Sequence, residues 1–289
     1  MTVSGKTKIY GVIGDPIEHS LSPTIQNSAF QYFNLDFIFL AFNVKNEELK
    51  NFIKCTRSFG IQGLNVTMPH KENVIRYLDE IDDNARFLNS VNTIVNNKGR
   101  LFGYTTDGIG AVCALKENNV DLASSKVVLL GAGGAGRAIA LSLADKVANL
   151  VILNRDLEKA KRLYIKLKQK FNRNIFGGSL SEDSIKKHLE NSDVLINATN
   201  VGMKPNQTES IIDSSMLSSN LTVMDIVYNP IETKLLVDAK RIGANIINGI
   251  EMLIYQGAAS FELWSGKKAP IDVMKKAAIK KILTTGEAN

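Results

Sequence analysis

Three places in this sequence carry side chains that could do chemistry. Lys71 ends Asn65-Val-Thr67-Met-Pro69-His-Lys71, just beyond a short apolar run. Read as a strand ending at Val66 and a helix begun by Pro69, this puts an ammonium in a helical first turn, where the dipole disfavours it. Such a lysine either has a counter-charge and a proton to move, or is a solvated surface lysine. Asp107, in Gly103-Tyr-Thr-Thr106-Asp107-Gly108, opens a helix as its cap or as a partner for such a cation. Ser20 and Ser22 precede Pro23. Ser22 reads as an N-cap with Pro23 in the first turn, and that is a complete account. Adding Ser20 brings two hydroxyls and a helix N-terminus to one spot, which makes a carboxylate site. The residues alone leave both readings open.

A fourth motif binds rather than reacts. The β-branched run Lys126–Leu130 leads directly into Gly131-Ala132-Gly133-Gly134-Ala135-Gly136, and a helical pattern follows from Arg137. Strand, glycine turn and helix together form the setting in which GxGxxG holds a dinucleotide. Gly131 permits the turn, Gly133 lets backbone approach a pyrophosphate, and Gly136 allows close helix-strand packing. The next strand ends Leu153-Asn154-Arg155-Asp156. An arginine there suits the 2′-phosphate of NADP, whereas a carboxylate suits the ribose of NAD. NADP is the preferred cofactor and NAD the alternative.

Positioning these residues requires regular elements. Apolar runs at Lys8–Ile13, Asp36–Phe42, Gly63–Val66, Leu150–Leu153, Asp193–Asn197, Thr222–Asp225 and Asn245–Ile247 read as strands. Amphipathic helices are expected at Thr24–Phe33, Glu47–Phe59, Gly136–Ala144, Leu157–Phe171 and Glu232–Arg241. The alternation predicts an α/β chain with mostly parallel sheets. Val91–Asn96 and Arg100–Tyr104, joined by Asn97-Lys98-Gly99, read as a hairpin. A fresh βαβ pattern at Lys126 puts a domain boundary near Asp107. The chain's 289 residues suit two domains at roughly 150 residues each.

Composition narrows the function. Net charge is +6, with basic residues dispersed; the densest run, Lys159 to Lys170, reads as a solvated helix face. With no stacking motif or basic arm, nucleic acid is not an expected partner. The apolar stretches are too short to span a membrane, and Met1–Lys8 lacks the apolar core of a signal peptide, so a cytoplasmic location is expected. Cys55 and Cys113 lie in apolar helical patterns and are expected to be buried free thiols. His19, His70 and His188 are scattered without ligand spacing, and no metal is expected.

Taken in order, these motifs resemble the shikimate dehydrogenase family. The resemblance continues through Asn197-Ala-Thr199 with Gly202-Met203, Asp225-Ile-Val-Tyr228-Asn-Pro230 with Thr233 and Leu235, and Asn248-Gly249 with Met252-Leu253 and Gln256-Gly257. It implies an N-terminal α/β substrate domain, residues 1–106 plus 249–289, and a Rossmann-type doubly wound parallel-sheet domain, 107–248. It implies reversible NADPH-dependent reduction of 3-dehydroshikimate to shikimate on the way to chorismate and the aromatic amino acids. Lys71 and Asp107 would be the catalytic pair. Ser20, Ser22, Thr67, Asn92, Tyr228 and Gln256 would hold the substrate. Gly131, Ala132, Gly133, Gly134 and Ala135 would hold the pyrophosphate, and Asn154, Arg155, Asp156 and Lys159 the adenosine phosphate. Ile226 and Gly249 would lie near the nicotinamide. Gln26, Thr105 and Asp156 stand where the family more often has histidine, asparagine and threonine. A monomer or homodimer is expected. The rival readings are a quinate/shikimate dehydrogenase preferring NAD, a non-catalytic shikimate-binding regulator, and a Rossmann-type oxidoreductase for another small acid.

Overall fold

A computed structural model describes residues 3–285. The chain divides into two compact units. One runs to Thr106 and resumes over Gln256–Thr285; the other is Asp107–Tyr255.

The first unit contains β1 (Lys8–Gly14), α1 (Ser22–Tyr32), β2 (Phe37–Asn43), α2 (Leu49–Ser58), β3 (Gly63–Val66), a 3-10 turn (Asn73–Tyr77), β4 (Glu80–Ile81), α3 (Asp83–Leu88), β5 (Thr93–Asn97) and β6 (Arg100–Tyr104). Its sheet runs β2-β1-β3-β5-β6-β4. β1 pairs in parallel with β2 and β3, and β4 with β6, while β5 is antiparallel to both β3 and β6, so this sheet is mixed with most of its pairs parallel. The hairpin read from Asn97-Lys98-Gly99 is present and supplies the antiparallel part. Lys98 and Gly99 both take positive φ in its turn. α2 buries Leu49, Ile53 and Thr56, spaced i, i+4, i+7. Cys55 falls off that stripe and is exposed, and Cys113 is half-buried, which corrects the expectation of two buried thiols.

The second unit contains α4 (Asp107–Glu117), β7 (Lys126–Leu130), α5 (Gly134–Leu143), β8 (Asn149–Asn154), α6 (Leu157–Phe171), β9 (Ile175–Ser179), α7 (Glu182–Leu189), β10 (Val194–Asn197), β11 (Thr222–Asp225), α8 (Lys234–Arg241) and β12 (Asn245–Ile247). All its strand pairs are parallel, in the order β12-β11-β10-β7-β8-β9. That is the doubly wound dinucleotide-binding order, with the reversal between β7 and β10. Val127–Leu130 and Val194–Ile196 are almost wholly buried, as strands covered on both faces must be. β9 escaped the sequence reading because Gly177 and Gly178 dilute its apolar pattern. A Cβ on Gly177 would sit 2.7 Å from the Ala160 carbonyl, so the seating of α6 on this strand needs the glycine. α9 (Gly249–Ser265) begins in the second unit and ends in the first, and α10 (Ile271–Thr285) follows.

Candidate active site

In the first unit, the serine motif departs from its expected role. α1 begins at Ser22 itself, its cap residue is Leu21, and no side chain caps it. The Ser22 N–H instead donates to Ser20 Oγ at 3.3 Å. The two serines are thus brought together at a helix start, with Ser22 inside the first turn. Gln26, one turn further on, is buried and donates to the Gly257 carbonyl at 2.8 Å. It thereby pins α1 beside Gln256.

The lysine motif also differs in detail. Pro69 lies in a turn, not at a helix start, and the 3-10 turn begins only at Asn73. The dipole argument for Lys71 therefore fails. What fixes this segment is hydrogen bonding. Thr67 N–H donates to the Ile13 carbonyl at 2.9 Å, and Val91 N–H donates to the Lys71 carbonyl at 2.9 Å. His70, fully buried, bonds the Val44 carbonyl through Nε2 at 2.5 Å. Thr67 and Lys71 are half-exposed, Thr67 directly after β3 and Lys71 four residues after Thr67.

Asn92 and Gln256 meet, the Asn92 amide donating to Gln256 Oε1 at 3.3 Å. Behind them lies a polar layer that sequence reasoning missed. Asn65 donates to Ser260 Oγ at 2.9 Å, Ser260 and Thr93 hydroxyls lie 2.8 Å apart, and the Thr106 N–H donates to Asn92 Oδ1 at 2.8 Å. All five of these side chains are buried. The available signal was a polar residue, Asn65, inside an otherwise apolar strand.

In the second unit, the glycine turn takes the expected form. Gly131 has φ +105 and donates its N–H to the Leu153 carbonyl at 2.7 Å. A Cβ on Gly136 would collide with the Gly131 carbonyl, so no side chain fits there. Gly133 is different: it is exposed, and a Cβ would meet nothing within 4 Å. The protein does not itself demand a glycine at 133; a phosphate resting on the backbone would. Gly133 caps α5 without a side-chain acceptor, which leaves the first-turn N–H groups of Gly134, Ala135 and Gly136 to an anion. The residues fit a dinucleotide pyrophosphate.

The end of β8 is wired to this turn. Asn154 Oδ1 accepts from Ala132 N–H at 3.0 Å, and its amide donates to the Asp156 carbonyl at 3.0 Å. Asp156 is the N-cap of α6, accepting from Lys159 N–H at 3.2 Å, with Lys159 Nζ 3.9 Å from its other oxygen. Its charge is engaged by a helix N-terminus and a lysine. Arg155 is exposed beside it.

Asp225, read in the sequence only as a strand end and motif residue, proves to be fully buried at the end of β11. It accepts from Thr233 Oγ1 at 2.7 Å, Val227 N–H at 3.0 Å and the Asn197 amide at 3.1 Å. Burial pushes its carboxyl up to about 6, against the pull of those three donors. Asn197 in turn accepts from the Thr199 hydroxyl at 2.7 Å. The Asn-Ala-Thr and Asp-x-x-Tyr motifs are therefore one hydrogen-bonded unit, and it orders the loop that carries Ile226 and half-buried Tyr228. Gly249 packs against this loop: a Cβ there would lie 2.5 Å from the Ile226 carbonyl. Asp107, 6% exposed, is the first residue of α4. Gly108 beside it seats α4 on α5, since a Cβ would strike Ser142 and the Ala138 carbonyl. Among the described residues no cluster of metal-ligating side chains occurs.

The second unit by itself provides an anion cradle and a cationic strand end, which suit a nucleotide; the first by itself provides a lysine and a directional amide and hydroxyl array, which suit a polyhydroxylated acid. Comparison with known proteins agrees. Family profiles match residues 12–94 (shikimate dehydrogenase substrate binding domain), 113–236 (shikimate/quinate 5-dehydrogenase) and 249–279 (shikimate 5′-dehydrogenase C-terminal domain). A shikimate dehydrogenase (NADP(+)) of Pyrococcus furiosus is 48% identical over 96% of this chain and 97% of its own. A crystallised shikimate dehydrogenase in complex with NADP+ superposes with TM-score 0.91 at 43% identity, covering 97% of this chain and 98% of its own. The Listeria monocytogenes enzyme, in complex with shikimate and NAD, gives TM-score 0.89 at 37% identity over 96% of this chain and 98% of its own. On the fold, the glycine turn and these likenesses, the chain belongs to the shikimate dehydrogenase family.

Proposed function

We propose that this protein is an NADP-dependent shikimate dehydrogenase, reducing 3-dehydroshikimate reversibly to shikimate in the cytoplasm. The observation that carries the reading is Gly133, an exposed glycine that only a ligand requires, in a chain that keeps Lys71 and Asp107. That no helix among the described residues could cross a membrane fits the location.

NADPH, held by the residues of the glycine turn and the end of β8, would supply hydride-transfer chemistry toward the ketone carbon, C3. The chain's own residues handle everything else. Lys71 donates the proton to the C3 oxygen as charge develops on it, completing the alcohol. Asp107 accepts a hydrogen bond from the neighbouring hydroxyl of the substrate. Ser20, Ser22 and Thr67 bind the carboxylate and a ring hydroxyl; Asn92, Tyr228 and Gln256 hold the remainder. Gly131 to Ala135 bind the pyrophosphate, and Asn154 to Lys159 the adenosine phosphate, with Arg155 on the 2′-phosphate. Because Asp156 is spent on capping α6 and on Lys159, it opposes that phosphate less than its position suggests.

The test is the rate of nicotinamide reduction with shikimate or quinate, using NADP and NAD separately. Shikimate with NADP should be fastest. Faster turnover of quinate with NAD would favour the second reading, a quinate/shikimate dehydrogenase, which Asp156 and the NAD-bound Listeria relative motivate. Tight shikimate binding without any reduction would overturn both in favour of a regulator.

A further inference from the structure

Gly14 is the last residue of β1, and Thr67 directly follows β3. These strands are parallel neighbours with Ile13 opposite Val66, so the same register brings Gly14 opposite Thr67. Beyond that point the two chains draw together. The Thr67 N–H donates to the Ile13 carbonyl at 2.9 Å, as a parallel ladder requires. The next bond runs from the Asp15 N–H to the Met68 carbonyl at 3.0 Å, while the Thr67 carbonyl accepts from the His70 N–H at 2.9 Å. The segment that carries Ser20 and Ser22 and the segment that carries Lys71 are thus stitched together where they leave the sheet.

Gly14 is buried in an ordinary strand conformation, so its backbone does not call for glycine. Its packing does. A Cβ on Gly14 would lie 2.5 Å from Thr67 Cγ2, and 3.0 Å from both Ile17 Cδ1 and the Met68 carbonyl oxygen. The backbone is held in place from the other side, where the Gly14 carbonyl accepts from Val44 N–H at 3.0 Å. The Thr67 methyl therefore occupies the space that a side chain at 14 would need. Cγ2 and Oγ1 share one Cβ and turn together about χ1, so seating the methyl fixes the hydroxyl. Among the described residues no protein group hydrogen-bonds that hydroxyl, which leaves its direction to the packing of the methyl.

We propose that Gly14 is a positioning residue for Thr67: its missing Cβ gives the Thr67 methyl a seat, and that seat holds the Thr67 hydroxyl in the rotamer that binds the substrate. The inference rests on the reading that Thr67 holds shikimate. Gly14 acts only through Thr67.

The experiment measures KM for shikimate, KM for NADP, kcat and Tm for Gly14→Ala, Thr67→Ser, Thr67→Val and the double variant Gly14→Ala/Thr67→Ser. Thr67→Val keeps the shape and removes the hydroxyl, and should raise KM for shikimate about ten-fold. Gly14→Ala drives Thr67 into another rotamer and should raise it about five- to ten-fold. KM for NADP should stay within about two-fold in both. Thr67→Ser keeps the hydroxyl and removes the methyl that meets the new Cβ. The double variant should therefore have the shikimate KM of Thr67→Ser, a strongly non-additive result. A merely structural glycine would lower Tm and leave KM for shikimate unchanged, or raise it in a way that Thr67→Ser does not reverse; either result overturns the proposal. Should Gly14→Ala fail to fold, the double variant carries the test, and a shikimate KM above that of Thr67→Ser overturns the proposal. If Thr67→Val raises KM while Gly14→Ala does not, the role of Gly14 is refuted and the substrate reading stands. If Thr67→Val leaves KM unchanged, Thr67 does not hold shikimate and the proposal falls with that reading.

Discussion

The two units bury polar groups in opposite ways. The first unit uses neutral groups: Asn65, Asn92, Thr93, Thr106 and Ser260 satisfy one another through amides and hydroxyls. The second buries a carboxylate, Asp225, with Thr233, Asn197 and the Val227 N–H around it. A neutral network orients side chains and does not titrate. A buried carboxylate gathers donors strongly and so can tie a loop to a strand end, but its charge is costly out of water. The difference suits the tasks. Recognition of a ring of hydroxyls needs defined donors and acceptors, whereas a nucleotide site needs a backbone held still.

The comparison can be sharpened first where the effect is largest. Lys71 is an ionisable residue of the same unit as the neutral network. Replacing it with alanine should lower kcat about 10²- to 10⁴-fold while KM for shikimate changes little. Equal, small changes in both, measured by steady-state kinetics, would remove it from the chemistry.

The glycine turn offers the next contrast. Gly136→Ala forces a Cβ onto the Gly131 carbonyl and should cost a few kcal/mol, visible as a large drop in Tm. Gly133→Ala meets no protein atom, so its Tm should match wild type while KM for NADP rises at least about ten-fold. Unchanged NADP affinity in that variant would argue that no phosphate rests there.

Asp225 makes the second unit's network sensitive to pH where the first unit's is not. Its folded-state pKa, about 6, lies above the ordinary carboxylate value of 3.8. The folded state therefore holds the proton more tightly than the unfolded state. This contribution to stability is full below about pH 4 and is lost as pH rises through 6. A shift of this size is worth roughly 3 kcal/mol. Urea unfolding at pH 4 and pH 7 should show wild type losing about that much relative to Asp225→Asn, whose amide does not ionise. Parallel pH profiles for the two would mean that the carboxylate is not stabilised in its neutral form.

The smallest effect is expected at Asp156. Asp156→Ala removes the cap of α6 and should lower stability by about 1 kcal/mol. Removing its charge should also strengthen NADP binding relative to NAD. A weaker NADP preference would show that the carboxylate contributes to cofactor binding beyond its capping role.

Much of this was open to reading in one dimension. The Rossmann half was legible because its signals are local: buried parallel strands are continuous apolar runs, and GxGxxG works only within a strand-turn-helix. β7, β11 and β12 match their expected bounds. Local signals failed where a neighbour distant in sequence sets the requirement. The β9 glycines are demanded by α6, and the three short helical segments Asn73–Tyr77, Asp83–Leu88 and Glu182–Leu189 are too brief to show a period.

The sequence by itself determined which residue types were present, their order, the α/β class, the dinucleotide turn and the candidate pair Lys71 and Asp107. Tertiary structure alone decided that Ser22 is not a cap, that Lys71 is not in a helical first turn, and that Asp156 is spent on α6. It alone brought Asn65, Thr93 and Ser260, nearly two hundred residues apart at the extremes, into one directed network. The physical reason is that hydrogen-bond direction and the cost of a buried charge depend on every partner around a group, and those partners come together only when the chain folds.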